Sequence, residues 1–267
     1  MKYLELPPPR PLRPYVRLIW CLELDTPGEF GPPERIAPDG IVELVFHYRD
    51  EISVRFAGEE FGPQPRSSLV CQTRRYVEIC PRRATGLVSV RFRPWGALHF
   101  LPMPVSELAD RVVPAEDVWG RAVLDLEERL AAARGLEERV SWVQRFLLER
   151  LRPQRERQVV AAVRAVWRHR GDVRATELSR ELGVSTRTAQ RLFQAAVGMP
   201  PKSYSRLVRF LHACAVLRGG DWSSLTDVGY ACGYYDQAHF IADFKDLAGM
   251  TPGELVDARA FSFLSLE

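Results

Sequence analysis

The feature that most limits what this chain can become is an internal repeat in its last hundred residues. Two stretches, 178–201 and 228–252, present the same signals in the same order. Each begins with an aliphatic residue, Leu178 or Val228, five positions ahead of a glycine, Gly183 or Gly233. A short oxygen-bearing side chain follows, Ser185 or Asp236, and then a large aromatic, Phe193 or Phe244. Another glycine (Gly198, Gly249) comes five residues later, and a proline (Pro201, Pro252) three after that. Glycine accepts the positive φ that a tight turn demands. Serine and aspartate accept the free amide protons at a helix start. The pattern predicts helix, short turn, helix, twice over, at about 173–197 and 224–249, with one extra residue in the second turn. One such pattern is weak evidence, because many small helix pairs look alike. Two aligned copies in one chain are far more specific.

In a helix-turn-helix the first helix braces the second, and the second enters a DNA major groove. The second helix of the first copy offers Thr186, Arg187, Gln190 and Arg191, on the side away from Ala189, Leu192 and Phe193, and its N-cap Ser185 is counted with them as a DNA-binding residue. Arginine pairs bidentately with guanine and glutamine with adenine. The second copy offers Gln237 and His239. Between the copies, 202–217 reads as an amphipathic helix with Tyr204, Leu207, Leu211 and Ala215 available for packing. Its Lys202, Arg206 and Arg209 either meet backbone phosphates or are solvated. As one helix it would be a rigid strut, setting the two readers in successive grooves about 34 Å apart.

Charge is distributed to match. The net charge of +3 hides a neutral stretch over 1–154, an excess of +9 over 155–218 and one of −6 over 219–267. A basic stretch beside a neutral one suits either a polyanion partner or a solvated helix surface. Acidic residues crowd the second reader (Asp236, Asp243, Asp246). Phosphate attraction supplies most non-specific affinity, so the first unit is expected to dominate.

At 267 residues the chain has room for two domains. Its first hundred residues carry short alternating apolar runs, at 18–24, 41–48, 52–57, 75–80 and 87–92, broken by Pro- and Gly-rich turns. They predict a small β-barrel or sandwich over 1–104. A helical connector is expected over 105–154, with one helix near 119–133, a break at Gly135, and a second helix carrying Leu136, Val140, Val143, Leu147 and Leu151. This connector either packs on its own domain or forms a dimer interface. Pro153 should end it, and an all-α module should occupy 155–260. The fold class is therefore α+β. No apolar run approaches the roughly 20 residues that span a membrane, and no signal-peptide pattern opens the chain, so it is read as cytoplasmic.

The repeats resemble the AraC/XylS family of transcription regulators. The residues that carry the resemblance are 233–240 (Gly-Tyr-Tyr-Asp-Gln-Ala-His-Phe), Phe244-Lys245 and 249–252, together with 182–185 and 190–193 of the first copy. The resemblance covers about 155–258 and implies a seven-helix module with two reading helices. Three N-terminal motifs, at 14–16, 36–40 and 90–96, look like the β-rich regulatory domain of one branch. They imply sensing of an effector or dimerisation, and the family resemblance implies RNA polymerase as a further partner of a DNA-bound protein. Family members often carry a basic residue after Phe-Ile in the second reader, where this chain has Ala242.

Rival readings have little to stand on. Some relatives join this module to an alkyl-accepting repair domain with a four-cysteine zinc site. Here Cys21, Cys71, Cys80, Cys214 and Cys232 lack paired-ligand spacing and read as small buried residues. His47 and His99 stand alone on apolar segments. No catalytic residue, metal site or cofactor is expected, and the chain is read as a non-enzyme. Trp20, Phe46, Trp95 and Phe100 either line an effector pocket or form the core of the first domain.

Overall fold

The computed structural model describes residues 1–152 and 157–258, with the side chains of 26–29 left aside. The expected stop at Pro153 lies outside the described residues.

Alternating apolar runs in the first part of the chain become ten antiparallel strands. They are β1 (Lys2–Leu6), β2 (Val16–Phe30), β3 (Glu34–Ile36), β4 (Glu43–His47), β5 (Ser53–Phe56), β6 (Gly62–Pro63), β7 (Ser67–Val70), β8 (Val77–Cys80), β9 (Arg82–Phe92) and β10 (Val112–Pro114). They form two open sheets rather than a closed barrel. The larger has the order β1-β2-β9-β4-β7-β10 and the smaller β3-β8-β5-β6. Central β9 is buried without a break from Thr85 to Val90, because both its faces are covered. In register, Val45 of β4 lies opposite Ser68 of β7 and Ser89 of β9.

Three helices follow: α1 (Glu116–Trp119), α2 (Arg121–Ala132) and α3 (Leu136–Arg150). Their apolar stripes (Val123, Leu126, Leu130; Val140, Val143, Leu147) share one core with Ile19, Leu44, Phe46, Val88 and Val90 of the large sheet. Phe146 meets Phe46 edge-on at 5.9 Å and Trp119 at 5.5 Å. Of the two alternatives open for the 105–154 connector, its helices thus take packing into the core of the first domain.

Seven helices occupy 157–257: α4 (Arg157–Arg168), α5 (Ala175–Glu181), α6 (Thr186–Val197), α7 (Pro201–Gly219), α8 (Leu225–Ala231), α9 (Gln237–Ala248) and α10 (Pro252–Asp257). At about 1.5 Å per residue, α7 is a strut of roughly 28 Å. Its Tyr204, Leu207, Phe210, Leu211 and Cys214 are buried among residues from α4, α6, α8 and α9. Phe193, Tyr204, Phe210, Phe240 and Phe244 are all under 2% exposed, each worth about 1.5–3 kcal/mol on burial.

The β-rich part and the helical part meet along a tight seam. Ala37 and Trp95 belong to the core of the helical module, not to that of the sheet. The three N-terminal motifs converge here. Trp95 Nε1 donates to the carbonyl of Pro14 at 3.1 Å, and the Arg93 amide to that of Tyr15 at 2.7 Å. Arg91 pairs with Asp39 and, at 3.1 Å, with Glu43. Next to Asp39, Gly40 rests on Tyr204 and Leu207 of α7. The C-terminal ends of α6 and α9 also dock. Gly198 and Gly249 cap α6 and α9 in the left-handed conformation, with φ of +84° and +69°. A Cβ at Gly198 would lie 3.0 Å from Val105 Cγ1, and one at Gly249 would lie 2.3 Å from Tyr76 Cε1. Arg35 donates to the Gly249 carbonyl at 3.0 Å, and Arg75 pairs with Asp246 at 3.2 Å. Of the four aromatic residues considered for a pocket, Phe46 and Phe100 sit in the sheet core, Trp95 in the helical core, and Trp20 against Tyr3 at 5.9 Å. They do not converge on one cavity.

Candidate nucleic-acid interface

Each repeat builds a helix-turn-helix from the residues that signalled it. In the first, the Leu182 amide returns to the carbonyl of Leu178 and that of Val184 to Ser179, closing the turn with Gly183 at φ +63°. In the second, the amides of Cys232 and Tyr234 return to Val228 and Gly229, with Gly233 at φ +79°. The turns match through Val184 and Tyr234, so Tyr235 is the extra residue. It projects into solvent, 86% exposed. Ser185 Oγ accepts the Thr188 amide at 3.2 Å, and Asp236 Oδ1 the His239 amide at 2.7 Å. Both are helix N-caps, as their positions in the sequence predict.

On α6, Arg187, Gln190 and Arg191 are exposed, and no hydrogen bond or ion pair holds them among the described residues. Ala189, Phe193, Ala196 and Val197 are buried on the opposite side. Thr186 is only half exposed, and its hydroxyl lies 3.3 Å from that of Ser179 on α5, so it ties the two helices together. On α9, Gln237 is exposed, with Phe240, Phe244 and Leu247 inside. His239 is exposed but partly engaged: its Nδ1 lies 3.4 Å from the Tyr235 amide, and its ring meets Tyr234 edge-on at 5.2 Å.

The strut residues divide. Lys202 is exposed at the start of α7. Arg206 departs from the expected phosphate contact. Its Nε donates to Asp243 at 2.8 Å and its Nη2 to Asp246 at 2.8 Å, so it braces α7 against α9. Burial lowers the Arg206 pKa and the two carboxylates raise it, and the balance lies above the ordinary arginine value. Arg209 turns inward too, with Nη2 donating to the Gly171 carbonyl at 3.3 Å. The acidity near α9 is likewise internal: Asp236 caps, Asp243 is buried against Arg206, and Asp246 pairs with Arg206 and Arg75. These charges are spent within the protein, which weakens the electrostatic argument for a feeble second reader. A difference between the readers persists, since α6 exposes two arginines and α9 a single lysine. That lysine, Lys245, was missed by the sequence reading. It stands nine residues after its N-cap, as Gln194 does on α6, and both are exposed.

The five cysteines are buried and unpaired. His47 and His99 are buried as well, His47 with its Nε2 3.3 Å from Gln64 Oε1 and His99 stacked 4.1 Å from Tyr15. No helix among the described residues is long and apolar enough to cross a membrane.

Comparison with known proteins agrees with this geometry in the helical part. Residues 178–258 match the family described as "Helix-turn-helix domain", and residues 4–114 match one described as "Domain of unknown function (DUF6597)". Among curated proteins, the chain is 38% identical over 66 residues to the HTH-type transcriptional activator RhaR of Yersinia pseudotuberculosis serotype O:1b (strain IP 31758), covering 25% of this chain and 22% of that protein. It is 30% identical over 83 residues to the HTH-type transcriptional activator RhaS of Klebsiella pneumoniae (strain 342), covering 31% and 30%. The chain thus spans under a third of the length of these relatives. Among solved structures it is similar to ToxT from Vibrio cholerae, with a TM-score of 0.47 at 10% identity over 86% of this chain and 98% of that one. It is also similar to a probable AraC family transcriptional regulator from Rhodopseudomonas palustris CGA009, with a TM-score of 0.33 at 28% identity over 38% and 97%.

Proposed function

We propose that the chain is a transcription regulator of the AraC/XylS kind, a sequence-specific DNA-binding protein that reads two adjacent major-groove half-sites; its match to a helix-turn-helix family over 178–258 and its similarity to the transcriptional activators RhaR and RhaS support this reading. The observation that carries this reading is the division of faces on α6 and α9. Their inner faces and C-caps are fixed in the core and seam, while Arg187, Gln190 and Arg191 on one and Gln237 and Lys245 on the other are left in solvent. Such free donors on a braced helix are what direct base readout requires. Ser185 and Lys202 border this surface and are assigned to phosphates. The first unit dominates, because it presents the two free arginines. The N-terminal part, whose core takes in α1–α3, is assigned to effector sensing or dimerisation, and RNA polymerase is the partner through which a bound regulator would act. The reading needs no catalytic step and no cofactor.

Selection of sites from random double-stranded DNA with the full-length protein tests it. Two boxes about one helical turn apart are expected. A single box would restrict base reading to one unit, and no enrichment in the presence or absence of candidate effectors would refute the function.

A further inference from the structure

We propose that the two reading helices recognise different base chemistries, guanine through Arg187 and Arg191 on α6 and thymine methyl groups through Ala238 and Ala242 on α9. The inference rests on the reading of both helices as DNA readers.

Counted from their N-caps, α6 and α9 correspond residue for residue. The buried phenylalanine stands at the eighth position after Ser185 or Asp236 (Phe193, Phe244), the left-handed C-cap glycine at the thirteenth, and the next helix's first proline at the sixteenth. The difference of one residue falls wholly in the preceding turns. On this common frame the second and sixth positions are neighbours on the outer face, one helical turn apart. In α6 they are Arg187 and Arg191, and in α9 Ala238 and Ala242, and all four are exposed.

The substituents dictate the partners. An arginine fork matches the O6 and N7 acceptors of guanine. Alanine has no donor or acceptor, so in the equivalent place it gains only from an apolar group on a base edge. In the major groove that group is the C5-methyl of thymine. Gln237, exposed at the first position of α9, adds an adenine-compatible amide, whereas Thr186 at the matching place on α6 is held at Ser179. No acidic side chain stands on the α9 outer face to spoil such an approach, since Asp236, Asp243 and Asp246 are engaged as a cap and in ion pairs. The recognised site is thus asymmetric, with one G·C-marked box and one A·T-marked box. A protein with two equal readers would select a direct repeat instead.

The test uses the full-length protein and its selected site, with affinity measured at fixed salt. Each thymine of the second box is replaced by deoxyuridine, which removes only the methyl, and each guanine of the first by 7-deazaguanine, which removes only N7. One or two deoxyuridine positions in the second box should lower affinity about fourfold each, the worth of one buried methyl-sized group. Deoxyuridine in the first box should have no effect, and 7-deazaguanine there should lower affinity about tenfold at the arginine positions. The exposed substitution Ala242→Arg should abolish one deoxyuridine effect and replace it with a preference for guanine. Intact sequence-selective binding that is indifferent to every deoxyuridine, or a second box marked by guanine in the unaltered protein, would overturn the proposal. Absence of any selective binding would instead sink the parent reading.

Discussion

Arg206→Ala distinguishes a phosphate-binding strut from an internally braced one. Arg206 holds Asp243 and Asp246 at 2.8 Å each, and the Asp243 side chain is 6% exposed while that of Arg206 is 39% exposed. The second oxygen of Asp243 has no hydrogen-bond partner among the described residues, so truncation of Arg206 leaves that buried carboxylate without support. Breaking a fully buried pair costs about 3–5 kcal/mol. The exposure of the guanidinium admits solvent screening and reduces this to about 2 kcal/mol. For a chain of this size the melting temperature should fall by roughly 4–8 °C, measured by circular dichroism or calorimetry. Removing the stranded charge as well, in Arg206→Ala/Asp243→Asn, should recover part of the loss. Below the melting range, the slope of log K against log salt for DNA binding should not change. A phosphate contact would instead lower that slope by about 0.9. An unchanged melting temperature together with a slope reduced by about one would refute the brace.

Three further outcomes are expected. Gly249→Ala should destabilise by about 2 kcal/mol or more and Gly198→Ala by less. Both force a left-handed alanine, but Gly249 alone meets an aromatic ring, that of Tyr76, at 2.3 Å; equal denaturant midpoints would contradict the seam. Burial lowers the pKa of His47 to about 4, below its unfolded value of about 6.5. The unfolded chain therefore takes up a proton first, and stability should fall by about 3 kcal/mol as pH drops from 6.5 to 4; His47→Gln should flatten that part of the profile, and an unchanged profile would exclude His47 as its source. Arg191→Ala should cost tenfold or more in DNA affinity and His239→Ala less than threefold, because the imidazole is already engaged with the Tyr235 amide; equal losses in a titration at fixed salt would contradict the dominance of the first unit.

The helical module was legible because its signals are local. Glycines at the turns and C-caps, oxygens at Ser185 and Asp236, and aromatics at a fixed offset each act within one or two helical turns. Strands at 18–24, 41–48 and 87–92 were visible through alternation, whereas β1, β7 and β10 were too short or too irregular to register. The fate of Arg206 was not legible. A basic residue on an amphipathic helix reads the same whether it faces solvent or a carboxylate 37 residues further along. The seam was hidden for the same reason, since nothing near Trp95 or Gly40 in the chain signals that their neighbours will be residues of α7 and its surroundings.

The seam sets Gly198 on Val105 and Gly249 on Tyr76, so both readers are bolted to one chassis at the ends remote from their N-caps. A jig of this kind tolerates spelling changes in a promoter better than changes of phase. One inserted base pair turns the second box by about 35° around the duplex and carries it about 3.4 Å along, and a fixed frame has no joint with which to follow. Binding sites for such a protein would diverge letter by letter while the interval between their boxes stayed constant.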